Sequence, residues 1–281
     1  MSVKELKSVE LSSYTIISTA IAVLFSIIAS IVLIIGFGII SPQAIGASIY
    51  IVSTIIVGTL MYTTYNAFCQ GFLYNALAKK MNTIKFAFKD EKEIVKVSTT
   101  ETAIMTSMII TIQMILLYLV SVFIVPLLIS SIMQTLMYSG QSELAYSIYQ
   151  VLMIMSQPIT IVMIIFGTFI ISFIFILLGC YIYNLLGNAG RGAVVNLTKE
   201  DNYTAVESVD ILKFAIVVAV VGGILNLILS IVTLTSGDIA STIGSIIGGF
   251  ISAFIEGALL AIFYNFLAPK LGKLKLELID Q

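Results

Sequence analysis

The stretch "FYNFLAPKLGKLKLELID" at residues 263–280 decides the fold, because the chain carries a close copy of it, "LYNALAKKMNTIKFAFKD", at residues 73–90. In both copies an aromatic residue and an asparagine end a long apolar run, a short basic stretch follows, and apolar residues then alternate with polar ones. Alternation with a period of two is typical of a half-buried β-strand. Each copy therefore predicts the end of a helix, a turn and a strand.

A third copy of this junction lies between the other two. The three copies share a tyrosine followed by an asparagine, at Tyr74-Asn75, Tyr183-Asn184 and Tyr264-Asn265. Further upstream, one glycine of each copy coincides in the same alignment: Gly58, Gly167 and Gly248. Since internal repeats fix the architecture of a chain, we predict three tandem units, namely residues 1–90, 91–201 with a longer outer segment at 131–158, and 202–281.

Composition places these units in a membrane. The chain of 281 residues is 59% hydrophobic and only 10% charged, whereas a soluble domain carries about 25% charged residues. Because roughly 20 apolar residues cross the hydrocarbon core as a helix, six stretches are long enough to span it, approximately 14–40, 47–73, 103–130, 159–182, 211–234 and 240–264. We expect an all-α polytopic fold of six transmembrane helices, arranged as three parallel two-helix repeats around a pseudo-threefold axis.

The distribution of positive charge predicts the orientation of the helices. All 14 lysines and arginines fall in the N-terminal lead, the link at 79–96, the link at 191–213 or the C-terminal tail. The outer turns, at about 41–46, 131–158 and 235–239, contain none. Because positive charge concentrates on the cytoplasmic side, we expect a multi-pass protein of the cell membrane with both termini in the cytoplasm. The outer segment 131–158 is interpreted as a solvated connector whose tyrosines suit an interfacial helix or a helical extension above the bilayer. A lid or an outer partner site is the functional alternative.

The alternating segments are expected to form a small cytoplasmic β element. They cover residues 84–89, 193–198 and 274–279, one after each helix pair. A lone short strand is unstable in water, so we expect these strands to pair, with the polar leads as further candidates because Leu6 and Val206 occupy equivalent positions. An open edge of such a sheet would dock a partner strand.

These repeated residues resemble a family of small uncharacterised two-helix membrane proteins known from actinobacteria. The shared features are an "SV" lead, two spans, a Tyr-Asn-x-x-Ala tail, a glycine-bearing turn and a strand. The unit from Ser208-Val209 to Asp280 matches best, while the Gly-Gly pair of the family is replaced by Asn82-Thr83, Arg191-Gly192 and Gly272-Lys273. The resemblance implies the two-helix architecture of each unit and implies no activity.

The Tyr-Asn junction has a structural and a functional interpretation. Aromatic rings favour the headgroup level of a membrane, and an asparagine can bond the free carbonyl groups at a helix end. Alternatively, Asn75, Asn184 and Asn265 form a polar ring at the cytoplasmic mouth of an axial pathway, which would gate a permeant.

Small residues on the last span predict close helix packing. Every fourth position is small: Ser241, Ser245, Gly249, Ala253, Gly257 and Ala261. Small side chains let helix backbones approach one another in lipid. We also expect Gly58, Gly167 and Gly248 to mark the same close contact in each unit.

Glu256 is the acidic side chain that lies deep inside a predicted span. A charge there costs at least about 2.5–3.5 kcal/mol on insertion scales, so the residue is a candidate proton or cation site. Its candidate partners are Asn66, Gln113 and Asn226. The alternative is a protonated or hydrogen-bonded packing residue.

The sequence predicts no enzyme. It contains no histidine, which removes the commonest general base and metal ligand, and we expect no catalytic residues, cofactor or metal. The net charge of −1 argues against a nucleic-acid partner. The leading hypothesis is a non-enzymatic membrane scaffold or assembly subunit, with the lipid bilayer and other membrane proteins, bound through the cytoplasmic strands, as partners. The alternative is a small channel or transporter, for which Gly222-Gly223 is the candidate helix break.

Overall fold

The computed structural model describes residues 1–40, 45–155, 157–233 and 239–281. Within these residues the α-helices are α1 (Leu11–Ile40), α2 (Ile45–Leu77), α3 (Thr99–Tyr138), α4 (Ser142–Met155), α5 (Pro158–Val162), α6 (Thr168–Asn188), α7 (Ile211–Thr233) and α8 (Ile239–Leu271), with a π-helix at Met163–Gly167 between α5 and α6. The β-strands are β1 (Ser2–Val9), β2 (Lys85–Lys89), β3 (Glu93–Val97), β4 (Ala193–Glu200), β5 (Tyr203–Val209) and β6 (Lys275–Asp280).

Six apolar helical segments are long enough to cross a membrane, which confirms the prediction of a multi-pass membrane protein. They are Leu11–Ile39, Ser48–Leu77, Thr99–Ile124, Pro158–Asn188, Ile211–Ile231 and Thr242–Leu271. The second, fourth and sixth segments end four to seven residues later than the sequence predicted, so the junction tyrosines lie inside the last turns of their helices.

The strands form one closed barrel in the order β1-β2-β3-β4-β5-β6, with all neighbours antiparallel. The barrel therefore contains three strands besides the three predicted ones, because the leads form β1, β3 and β5. Register shifts interrupt the ladders between Leu6 and Ser8 and at two further places. A bulge adds one residue and breaks the alternation of period two, which explains why the leads give a weak strand pattern.

Barrel closure brings the two chain ends together. β6 pairs with β1 from Leu276 opposite Val9 to Asp280 opposite Lys4, and the Gln281 N–H donates to the Val3 carbonyl at 3.0 Å. The expectation of an open sheet edge is wrong for the sheet as a whole, because every strand has a neighbour on each side. Two of the six ladders, β3–β4 and β5–β6, contain only two residue pairs each.

Contacts divide the chain into two compact units. One comprises residues 1–102 and 177–281 and contains the barrel. The other comprises residues 103–176 and is helical. Most of α3 lies in the second unit; the helix is 40 residues long, about 60 Å at 1.5 Å per residue, and α4 follows it, so the described part of the outer segment is largely helical. The predicted outer turns at 41–46 and 235–239 lie largely outside the described residues.

Small residues of α8 pack against α7, as the sequence predicted. A Cβ on Gly249 would lie 2.1 Å from Asn226 Nδ2, and a Cβ on Gly257 would lie 2.8 Å from Val218. The side chain of Ser241, which begins the small-residue stripe, lies outside the described part. The expectation for Gly58, Gly167 and Gly248 is wrong, because a Cβ on any of them would meet no described atom within 4 Å. Successive helix residues are rotated by about 100°, so Gly248 is turned away from the face that Gly249 presents.

Candidate functional site: the junction between helices and barrel

Each junction tyrosine hydrogen-bonds to a carbonyl group of a lead strand. The Tyr74 hydroxyl donates to Leu6 at 2.7 Å, that of Tyr183 to Ile94 at 2.5 Å, and that of Tyr264 to Val206 at 2.5 Å. The last two hydroxyls also accept the N–H that opens the following strand segment, from Ala193 at 3.3 Å and Leu274 at 3.2 Å. Tyr183 and Tyr264 thus each join the end of a helix to a lead strand and to the strand that follows the helix, whereas Tyr74 joins its helix to the lead strand.

Each junction asparagine binds one peptide position in two directions. Its side-chain oxygen accepts the N–H of the last lead-strand residue, and its side-chain nitrogen donates to the carbonyl of that same residue. The six distances lie between 2.7 and 2.9 Å, for Asn75 with Val9, Asn184 with Val97 and Asn265 with Val209. The amide takes the place of a further strand residue where the ladder ends, because a residue's N–H and C=O point to the same side of an antiparallel strand.

This pairing corrects the expectation that the asparagines bond carbonyl groups at the helix end. Their partners are strand residues instead, since the strand-to-helix step leaves an N–H and a C=O unpaired and such groups are costly to bury. The amide atoms are occupied in all three cases. In this arrangement they are not presented to a permeant, which favours the structural interpretation of the junction.

A small residue lies four positions after each tyrosine, one helical turn further along. These residues are Ala78, Gly187 and Ala268. A Cβ on Gly187 would lie 2.0 Å from the Val95 carbonyl oxygen, and Ala268 is 1% exposed. The end of α6 therefore lies directly on the backbone of β3. We name the tyrosine, the asparagine and this small residue the junction clamp.

A buried apolar cluster supports the third clamp. Ile17 of α1, Val206 of β5 and Tyr264, Leu267 and Ala268 of α8 are all less than 9% exposed and pack together. Burying one leucine-sized side chain stabilises a fold by roughly 1.5–3 kcal/mol. The cluster therefore joins the first helix, the last helix and the barrel into one core.

Charged residues on and beside β4, β5 and β6 form a mixed-sign cluster, which we name the rim. Lys273 contacts Glu207 at 2.6 Å and Glu200 at 3.2 Å, and Lys275 contacts Glu200 at 3.1 Å. Hydrogen bonds from Lys275 and Lys273 lower the pKa of Glu200, and a hydrogen bond from Lys273 lowers the pKa of Glu207. These carboxylates are charged at neutral pH, so the rim is an array of ion pairs.

Glu5 is the most perturbed carboxylate of the barrel. Its side chain is 16% exposed and accepts hydrogen bonds from Lys7 at 2.8 Å, from the Thr83 hydroxyl and from Gln281 at 3.3 Å. The hydrogen bonds from Lys7 and Thr83 lower its pKa from 4.5 to about 2. Glu5 therefore stays ionised far below neutral pH.

The mouth of the barrel encloses a polar cavity of about 550 Å³. Its lining comes from β1, the β2–β3 hairpin, the β4–β5 hairpin and β6: Lys4, Asp90, Glu91, Lys92, Asn196, Leu197, Thr198, Lys199, Thr204, Leu278 and Asp280. Among the charged lining residues only Lys4 is not exposed. Sequence reasoning missed this cavity, because its residues come from four places along the chain that periodicity does not connect.

Glu256 does not meet its expected partners at one site. It is exposed on α8 and lines a cavity of about 380 Å³ with Ser18, Phe25 and three aliphatic residues. Within the described part of the chain, its carboxyl has no hydrogen-bond or ion-pair partner. Asn226 donates instead to the Ser245 carbonyl at 3.0 Å, and Asn66 does not line this cavity.

The transport hypothesis also named Gln113 and Gly222-Gly223. Gln113 is 6% exposed and belongs to the unit of residues 103–176. Gly222-Gly223 does not break α7, which runs from Ile211 to Thr233, because Gly223 accommodates the Phe250 ring at the helix contact. An irregularity that the sequence did not reveal is the π-helix at Met163–Gly167.

No protein-family model matches this chain, and neither a curated protein nor a solved structure does. Its function is therefore inferred from the chemistry and geometry of its own residues. The junction clamps, the mixed-charge rim and the Glu256 cavity are the features that bear on it.

Proposed function

We propose that this protein is a non-enzymatic integral membrane scaffold or assembly subunit. The observation that carries the proposal is the junction clamp, because three clamps fix membrane helices to one closed barrel. In each clamp the tyrosine hydroxyl and the asparagine amide bind strand backbone. The barrel surface is therefore the part that remains accessible to other molecules. That surface carries the ion-paired rim of Lys273, Lys275, Glu200 and Glu207.

The proposal includes three tandem two-helix units about a pseudo-threefold axis, with the barrel and both termini in the cytoplasm of a multi-pass cell-membrane protein. The equivalence of the clamps supports the repeat, since each asparagine binds the last residue of its own lead strand. The lysine distribution supports the orientation. The resemblance of the units to small two-helix membrane proteins would then reflect a triplicated module.

Labelling tests the orientation. Lys96 is exposed on β3, so a single cysteine there, in a chain whose Cys69 and Cys180 are replaced, reports the location of the barrel. Membrane-impermeant maleimide should label Lys96→Cys in inside-out vesicles and not in intact cells. Labelling in intact cells would contradict the cytoplasmic barrel.

Reciprocal cross-linking in native membranes tests the scaffold. We expect a defined set of membrane proteins to cross-link to the rim and to be lost in a Lys273→Met, Lys275→Met variant. Lys96→Met, which removes an exposed charge from the same barrel, is the matched control and should keep the set. If the rim variant and the control recover the same proteins as wild type, the rim is not the docking surface.

A small channel or transporter is the second candidate function, and the observation that favours it is Glu256. A carboxyl without a protein partner is costly within a span, and this one faces a cavity between α1 and α8. Purified protein in liposomes should then support a proton or cation flux that Glu256→Gln changes. The absence of flux under proton, sodium and potassium gradients would eliminate this candidate and leave the scaffold untouched.

A further inference from the structure

The cavity in the barrel mouth contains a cation that is poorly compensated by its neighbours. The Lys4 side chain is 16% exposed, and its closest anion is Asp280 at 3.9 Å, whose own side chain is 80% exposed. The Lys4 ammonium also lies 5.9 Å from the centre of the Phe88 ring, a modest cation–π contact. An ammonium on a largely buried side chain prefers a close, hydrogen-bonded anion, and among the described residues Asp280, at 3.9 Å, is its one ion-pair partner.

Two further lysines line the same cavity. Lys92 lies in the β2–β3 turn and Lys199 lies near the end of β4, so the three cations come from separate parts of the barrel. Neither the Lys92 nor the Lys199 ammonium has an ion-pair or hydrogen-bond partner among the described residues. Multiple lysines bind phosphate oxygens as converging point charges.

The carboxylates of the cavity restrict what can enter. Asp90, Glu91 and Asp280 are all exposed and therefore lie at the opening of the cavity, as Lys92 and Lys199 do, whereas the Lys4 ammonium lies over the Phe88 ring. These carboxylates repel anionic groups at the opening. A ligand with one anionic group therefore fits best when the rest of the molecule is neutral or cationic. The charge arrangement therefore suits a small ester that points its phosphate inward.

The size of the cavity suits a small molecule. The volume of about 550 Å³ is within the range of pockets for small molecules, roughly 300–1,000 Å³. We infer that the barrel mouth binds a small soluble phosphate ester, with its phosphate beside Lys4.

Titration calorimetry on the full-length protein in a detergent without phosphate tests this inference. The probes are O-phosphoethanolamine, inorganic phosphate, and ethanolamine as the control that lacks phosphate. We expect saturable binding of O-phosphoethanolamine, weaker binding of inorganic phosphate and no binding of ethanolamine. Lys4→Met should weaken binding by about tenfold or more, since it removes the charged donor that lies deepest in the cavity.

Two variants separate a built site from general electrostatics. Lys199→Met should also weaken binding. Because Lys199 is exposed, this variant tests the site without disturbing the barrel interior. Lys96→Met removes the same charge outside the cavity and should change binding less than twofold. The inference is overturned if no phosphate probe saturates at millimolar concentration, or if Lys96→Met weakens binding as much as Lys4→Met. Competition by phosphatidylethanolamine nanodiscs, but not by phosphatidylcholine ones, would assign the site to a lipid headgroup and overturn it as well.

Discussion

Replacing Asn184 by alanine removes the most buried amide of the three junction clamps. Asn184 is 8% exposed, accepts the Val97 N–H at 2.7 Å, and donates to the Val97 carbonyl at 2.9 Å and to the Thr99 hydroxyl at 3.0 Å. Alanine leaves one N–H and one C=O of Val97 without a partner. Each unsatisfied buried group costs about 1–3 kcal/mol, so Asn184→Ala should lower the free energy of unfolding by roughly 2–4 kcal/mol, allowing for some water entry.

Equilibrium unfolding in a lipid–detergent mixture, titrated with a denaturing detergent, measures this loss. Asn82→Ala is the matched control, because Asn82 is exposed and has no hydrogen-bond partner among the described residues. Asn82→Ala should change the free energy of unfolding by no more than about 0.5 kcal/mol, as ordinary surface substitutions do. If Asn184→Ala were as mild as Asn82→Ala, the clamp would not be what holds β3 to α6.

Asn184→Asp adds a pH test of the same geometry. A protonated carboxyl can accept the Val97 N–H and donate to the Val97 carbonyl, whereas a carboxylate can only accept. The neutral form is therefore favoured in the folded state, which raises the folded pKa of the new carboxyl above its unfolded value. Its stabilising contribution is present below the unfolded pKa and is lost as the pH rises through the folded pKa. Stability relative to wild type that does not improve on acidification would refute the bidentate pairing.

The remaining predictions concern other contacts of the barrel. Gly187→Ala should destabilise the protein by about 1–3 kcal/mol, as overpacking does, because its Cβ would lie 2.0 Å from the Val95 carbonyl oxygen; in the same unfolding assay Gly58→Ala, whose Cβ meets no described atom, should be near neutral. Hydrogen bonding lowers the pKa of folded Glu5 to about 2. Its contribution to the free energy of unfolding is therefore present above the unfolded pKa and is lost as the pH falls from about 4.5 toward 2. Glu5→Gln should remove that part of the acid sensitivity, whereas Glu91→Gln should retain it, and equal acid profiles for all three proteins would contradict the assignment.

The sequence predicted the membrane part well because the signals are local. Six apolar runs, three Tyr-Asn pairs and the packing of Gly249 and Gly257 follow from residue type and spacing. The strands after each helix pair were visible for the same reason.

Barrel closure could not be read from local patterns. The pairing of Leu276 with Val9 joins residues at opposite ends of the chain, and no periodicity within either strand specifies that partner. The bulge between Leu6 and Ser8 also disturbs the alternation in β1. The prediction that Gly58, Gly167 and Gly248 mark close helix contacts failed for a related reason. Residues that align in the three sequence copies need not have the same packing neighbours, as Gly248 illustrates.

The barrel and the helices close at the same seam of the unit formed by residues 1–102 and 177–281. In the barrel, β1 pairs with β6. In the helical part, α1 contacts α8, where the Phe25 and Phe263 rings meet edge to face at 5.1 Å. Ser13 connects the two levels, because its hydroxyl accepts the Lys275 N–H at 3.1 Å. Since the last strand and the last helix both complete contacts with the first ones, neither closure can form before the C-terminal residues are in place, and each lowers the loop-closure entropy that the other has to overcome.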